Sequence, residues 1–278
     1  MRLGYGLILG LLVSLTACRP RQSASPETSP VVLPVHTRAD SLALRVYQAY
    51  GGPEVWQALP YIRFDYAVAH DGPRRLLAHH LWHRPSGRYR LEWVRENDSL
   101  YVALFNVRTR RGQVYHNGRP LAEPANRRLL EEAYRRFVHD TFWLLLPVQL
   151  FEPGVQRFYE ADSATAAYEV LRLELTRAEW LPARRYWVYV DRQEALVVQL
   201  AYFVPGSSEA LPARYRWEGH QTWETPFGPV RLATRKIFLY APLILFTDNL
   251  AFPATLPEAL FLDPLPRLGQ PLTSVAAR

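Results

Sequence analysis

The chain has 278 residues, 49% of them hydrophobic, which is apolar enough for a full core. Basic residues number 33 against 26 acidic ones, for a formal charge of +7, and Lys236 is the only lysine. The single cysteine excludes an intramolecular disulfide, so the fold must be held by its core.

The N-terminus has one arginine, Arg2, then an apolar run from Leu3 to Leu15 and the small residues Thr16 and Ala17 before Cys18. That is the layout of a secretory signal peptide, and the run is shorter than the about 20 apolar residues that cross a bilayer. Leu15-Thr16-Ala17-Cys18 resembles the lipobox of bacterial lipoproteins. The resemblance implies cleavage before Cys18, diacylglycerol on its thiol and usually an acyl group on the new N-terminus. Two or more acyl chains give stable anchoring. The expected organisation is a signal peptide at 1–17, a lipidated flexible tether at 18–38, one main domain at 39–262 and a proline-rich tail at 263–278. Arg19 follows the cysteine, where the inner-membrane retention signal of enteric bacteria has aspartate. The outer membrane, at its periplasmic face, is therefore the expected site, with the inner membrane as the alternative.

Arg19 to Pro34 has four prolines and few large apolar side chains, a composition that cannot bury a core. About 220 residues follow, which suit one large all-β domain or two small ones. Asp40 starts a helical pattern with Leu42, Val46, Ala49 and Tyr50 on one face, ended by Gly51-Gly52. Pro53-Glu54 opens a short helical turn carrying Val55, Trp56 and Leu59. After Pro60 the period becomes two: Ile62, Phe64, Tyr66 and Val68 alternate with Arg63, Asp65 and Ala67, as a half-buried strand requires. Strand patterns follow at 75–84, 87–95, 99–108 and 112–116, the last before the turn Asn117-Gly118.

From Asn126, the residues Leu130, Ala133, Tyr134, Phe137, Thr141 and Leu144 fall at helical spacing. Glu131–Arg135 and Glu132–Arg136 form i,i+4 pairs on the other face, and Pro147 stops the helix. Strands resume at 167–176, 184–191, 195–204, 213–224, 229–240 and 244–252. Thr225-Pro226-Phe227-Gly228 supplies one of the turns. The arginines are spread along strands, which reads as solvated strand faces, and together with export this argues against a nucleic-acid partner.

Three segments carry a wider resemblance. They are Ala49 to Trp56 followed by a strand, Asp140 to Pro147 running into Glu152-Pro153-Gly154, and Tyr186 to Asp191. Together they resemble the lipoprotein-carrier superfold of LolA, LolB and a group of uncharacterised exported lipoproteins. The resemblance implies a mainly β (α+β) fold, a curved antiparallel half-barrel of about ten strands wrapped around one or two helices, with an apolar cavity. The lipobox sets the chain apart from soluble LolA and brings it nearer to anchored LolB. LolB's protruding insertion loop has no match here.

The expected function is non-catalytic: a periplasmic lipoprotein that binds or handles a lipid or another apolar ligand. The candidate cavity residues are the aromatics at alternating strand positions, Phe64, Tyr66, Trp82, Tyr89, Trp93, Tyr202, Trp217 and Phe238, with Trp143 from the helix. An envelope scaffold or assembly subunit is the alternative, since an apolar patch serves a partner as well as a ligand. A metal-dependent hydrolase ranks below both. His79 and His83 share a strand face, yet i and i+4 on a strand lie about 13 Å apart, too far for one ion. His116, His139-Asp140 and His220 join them only through tertiary proximity. No nucleophile elbow, paired-carboxylate motif, phosphate loop or dinucleotide fingerprint is present, so no cofactor, metal or catalytic residue is expected. Asp140 reads as a local hydrogen-bonding partner.

Overall fold

A computed structural model describes residues 31–95, 99–206 and 211–269. Two helices come first, α1 (Arg38–Ala49) and α2 (Gly52–Ala58). Thr37 caps α1 through a capping box with Asp40, which satisfies two otherwise unpaired amides of the first turn. Gly51 joins the helices at φ +117°, and a Cβ there would stand 2.6 Å from the carbonyl oxygen of Pro229, so only glycine fits.

The strands are β1 (Tyr61–His70), β2 (Arg75–His83), β3 (Arg88–Val94), β4 (Leu100–Asn106), β5 (Arg111–His116) and β6 (Arg119–Pro120), before α3 (Ala125–Leu145). After α3 come β7 (Val155–Tyr159), β8 (Tyr168–Leu175), β9 (Arg185–Asp191), β10 (Val197–Tyr202), β11 (Ala213–Thr225), β12 (Gly228–Phe238) and β13 (Leu243–Ala251). Among the described residues these 13 strands form one antiparallel sheet in the order β6-β5-β4-β3-β2-β1-β13-β12-β11-β10-β9-β8-β7. The sheet has two free edges and is not closed. Its seam is the pairing of β1 with β13, which joins the two halves of the chain. The expected curved half-barrel around helices is the architecture found. The count exceeds about ten because β6 and β7 are too short to show a period in sequence.

The concave face carries the main core. Ile62, Phe64 and Tyr66 of β1 pack in one cluster with Phe142 and Trp143 of α3 and with Leu42 and Val46 of α1. A second cluster lies under the first half of α3, where Tyr89, Leu91, Trp93, Phe105 and Val114 meet Leu129 and Ala133. From Asp140 to Leu146 every residue of α3 and the following turn is buried, so this segment runs through the interior, not along a surface.

The outer face of β1–β3 departs from expectation. Arg63, Asp65, Arg90 and Glu92 are all buried, not solvated, because residues 256–269 lie across them. Arg90 bonds Glu92 at 2.5 Å and donates to the carbonyls of Leu260 (2.9 Å), Asp263 (2.7 Å) and Leu265. Glu92 accepts the amides of Arg267 (2.7 Å) and Leu268 (3.0 Å). Arg63 donates to the carbonyls of Asn249 and Leu268 and pairs with Asp65 at 3.0 Å. An irregular strap has few backbone partners of its own; these buried charges supply them.

Candidate functional site

The second half of α3 runs along the concave face beside β10, β11 and β13. Arg135, His139 and Trp143 recur every four residues and so share one stripe of the helix. That stripe faces Tyr202 of β10, Tyr215 of β11, Leu243 and Leu245 of β13, and Trp180-Leu181-Pro182 from the loop between β8 and β9. Between them is an open cavity of 530 Å³, within the about 300–1,000 Å³ typical of small-molecule sites. Its wall is aromatic: Trp143 lies 4.7 Å from Tyr215, and the rings of Tyr202 and Tyr215 are parallel at 6.2 Å. Burial raises the pKa of both tyrosines, so they face the cavity as neutral phenols.

A polar network stands directly behind this wall. The Trp143 indole donates to His139 Nε2 at 3.1 Å. An indole can only donate, so His139 Nε2 is an acceptor and its Nδ1 carries the hydrogen, which goes to Asp140 Oδ1 at 2.8 Å. On the other side of Asp140, His80 Nε2 lies 3.1 Å from Oδ2, a close electrostatic contact off the hydrogen-bond direction. His80 Nδ1 is bonded to the Tyr89 hydroxyl at 2.8 Å, and the ring stacks on Phe64 at 4.3 Å. Burial pushes the Asp140 carboxyl up, but the bond from His139 and the close approach of His80 outweigh it and hold Asp140 below its ordinary value. Burial pulls His80 down more than Asp140 lifts it, so its ring stays neutral. A single buried carboxylate thus sits between two neutral imidazoles, one of them at the cavity wall.

The expected cavity residues divide. Trp143 and Tyr202 line the cavity. Tyr66 lies just behind it, edge-on to His139 at 5.9 Å, with a hydroxyl that has no hydrogen-bond partner among the described residues. Phe238 supports Tyr215 from below at 4.9 Å. Phe64 packs beneath His80, and Trp82, Tyr89 and Trp93 belong to the cluster around the first half of α3. Trp217 covers the amine of Lys236 at 4.9 Å. Cys18 lies outside the described residues. Sequence reasoning did not single out Arg135, His139, Tyr215, Leu243, Leu245 or Trp180-Leu181-Pro182 as cavity residues. The four-residue spacing of Arg135, His139 and Trp143 was a readable signal; the loop carried none.

Among the described residues no three His, Cys, Asp or Glu side chains are placed to hold a metal ion. The histidines of β2 serve separate ends: His79 bonds Asp65 at 2.7 Å, His80 faces inward, and His83 stacks on Tyr61 at 4.6 Å. His116 stacks on Tyr101 and His220 meets the Tyr50 hydroxyl at 3.0 Å. No described helix is long and apolar enough to cross a membrane.

No protein-family model matches the sequence, and no curated protein matches it. Among solved structures, the chain is similar to a LolA superfamily protein from Nitrosomonas europaea, at 14% identity over 81% of this chain and 98% of that one, with a TM-score of 0.37. It is also similar to a DUF1329 family protein from Desulfovibrio piger, at 11% identity over 80% and 94%, with a TM-score of 0.43. A candidate outer membrane lipoprotein-sorting protein domain from Vibrio parahaemolyticus aligns at 12% identity over 78% and 95%, with a TM-score of 0.40. These likenesses concern the layout of the chain alone, an antiparallel sheet curved around helices.

Proposed function

We propose that this chain is a non-catalytic envelope lipoprotein whose cavity takes a lipid or another apolar molecule. The observation that carries the reading is the 530 Å³ cavity walled by Trp143, Tyr202, Tyr215, Leu243 and Leu245. Large side chains that only fill a core close such a space; here they leave it open and line it with apolar surface. Cys18 supplies the membrane attachment through its acyl groups, with the outer membrane as the anchoring membrane.

Filling the cavity tests the ligand reading without removing core. Leu243→Trp places an indole in the space from a half-buried position. It should abolish binding of a fluorescent fatty acid while the melting temperature stays within a few degrees of wild type. Unchanged binding by a folded Leu243→Trp protein would rule the cavity out. The anchor is tested by Cys18→Ala, which should move the protein out of the membrane fraction and abolish incorporation of labelled palmitate.

The scaffold reading has one observation in its favour. Phe203, Val204, Leu211, Leu239 and Tyr240 are exposed on the two loops that follow β10 and β12, beside the cavity. If the cavity-filled protein keeps all cellular activity while Phe203→Ser and Tyr240→Ser variants lose it, those loops are the working surface and the cavity is not.

A further inference from the structure

The chemistry of the cavity's mouth narrows the ligand class. Arg135 has an obvious helix partner in Glu131, four residues earlier. One residue along, the equivalent pair forms, with Arg136 and Glu132 at 3.5 Å. Arg135 and Glu131 do not pair, and no described carboxylate lies within 4 Å of the Arg135 guanidinium. Glu131 instead lines an adjoining hollow with Arg110 and Arg127, across Trp180 from the cavity, while Arg135 is exposed at the lip of the aromatic cavity. No acidic residue lines that cavity. The far end of the same stripe is different: Trp143 is buried there, with Tyr202 and Leu245 buried beside it.

We propose that the cavity takes an amphipath with one anionic head, a carboxylate or a phosphate, held by Arg135 at the mouth with its apolar tail inward along Trp143, Tyr202 and Tyr215. The inference rests on the reading of the cavity as a ligand site and adds the head group and its orientation. A guanidinium binds such heads through two parallel charge-assisted hydrogen bonds and is more weakly hydrated than an ammonium. Arg135 is the exposed end of the stripe and Trp143 the buried, apolar end, so the head stays outside and the tail enters. A neutral or cationic amphipath gains nothing from this arrangement.

The test compares three probes with the same tail, palmitate, hexadecyl phosphate and hexadecanol, on the full chain carrying Cys18→Ser so that no covalent acyl group competes. At pH 7.5 at least one anionic probe should bind at least ten times more tightly than hexadecanol. Arg135→Gln should bring that probe down to the hexadecanol level and leave hexadecanol binding unchanged, and added salt should act in the same direction as the substitution. The two anionic probes distinguish a carboxylate head from a phosphate head. Equal binding of all three probes overturns the inference while leaving the apolar cavity standing, as does an anionic preference that survives in Arg135→Gln. Binding of none of them refutes the ligand reading itself, and this inference falls with it.

Discussion

Lys236 is the only lysine in the chain and one of its most deeply buried side chains. Its amine donates to the carbonyl of Ala233 at 2.8 Å and lies over the Trp217 ring, with no described carboxylate within 4 Å. Burial alone pulls its pKa from 10.5 to about 7. Between these values the unfolded chain holds a proton that the folded chain releases, so stability rises with pH across this window. The expected slope is about 1.4 kcal/mol per pH unit. Urea titrations from pH 7 to 10 should show it, and Lys236→Met should flatten it while raising stability at pH 7. Acid acts through the histidines. Burial, reinforced by the charges of Arg231 and Lys236, lowers His220 to about 4, and burial lowers His80 as well. Both groups take up protons in the unfolded state below pH 6.5 but resist them when folded, so stability falls as pH drops from 6.5 towards 4. His220→Gln should reduce that loss, read from melting temperatures at pH 7 and pH 5. Neither environment was legible beforehand. A lysine or histidine in an alternating strand looks the same whether its face meets water or another layer, and only the tertiary packing of β11 and β12 decides.

At the level of single elements, the period-two and period-3.6 patterns located α1, α2, α3 and most strands, because each buries a face along its own length. The strap at 256–269 was not legible for the converse reason. It buries few side chains of its own and is held mainly through its backbone, to which Arg63, Arg90 and Glu92 are bonded. Those charges looked like a solvated strand face because the segment that covers them lies about 175 residues away in sequence. Removing one member of a buried, bonded charge pair costs about 3–5 kcal/mol. Glu92→Ala should therefore destabilise by that amount in urea unfolding and make residues beyond 255 susceptible to protease in the native state. The end of α3 carries a second local prediction. Asp140→Ala leaves the Nδ1 hydrogen of His139 without its acceptor, which should cost about 1–3 kcal/mol. It should also weaken ligand binding, since Trp143 is held at the cavity wall through His139.

Across the whole molecule the sheet keeps both edges free, and each edge is short or covered. β6 is two residues long and ends in proline, and α1 packs against β7. Because the sheet curls without closing, its concave side has room for α3 and for the cavity beside it. The aromatic set named from sequence did fall on that side, but strand alternation cannot tell a residue that lines a space from one that fills it. Trp93 and Tyr202 carry the same signal, and only the position of α3 separates them.

The chain leaves the domain far from the cavity. The amide of Val31 meets Glu54 of α2 at 3.4 Å, and α2 lies on the tip of the β11–β12 hairpin, where a Cβ on Gly228 would stand 2.8 Å from Val55. Tyr215, at the cavity, is at the other end of β11, about 33 Å away at ~3.3 Å per residue. The stretch from Cys18 to Val31 reaches at most about 45 Å. An acylated Cys18 would thus join the domain at the end opposite the cavity, through a stretch whose reach exceeds that separation. The leash would then bound the distance between the cavity and the bilayer: an address with a radius.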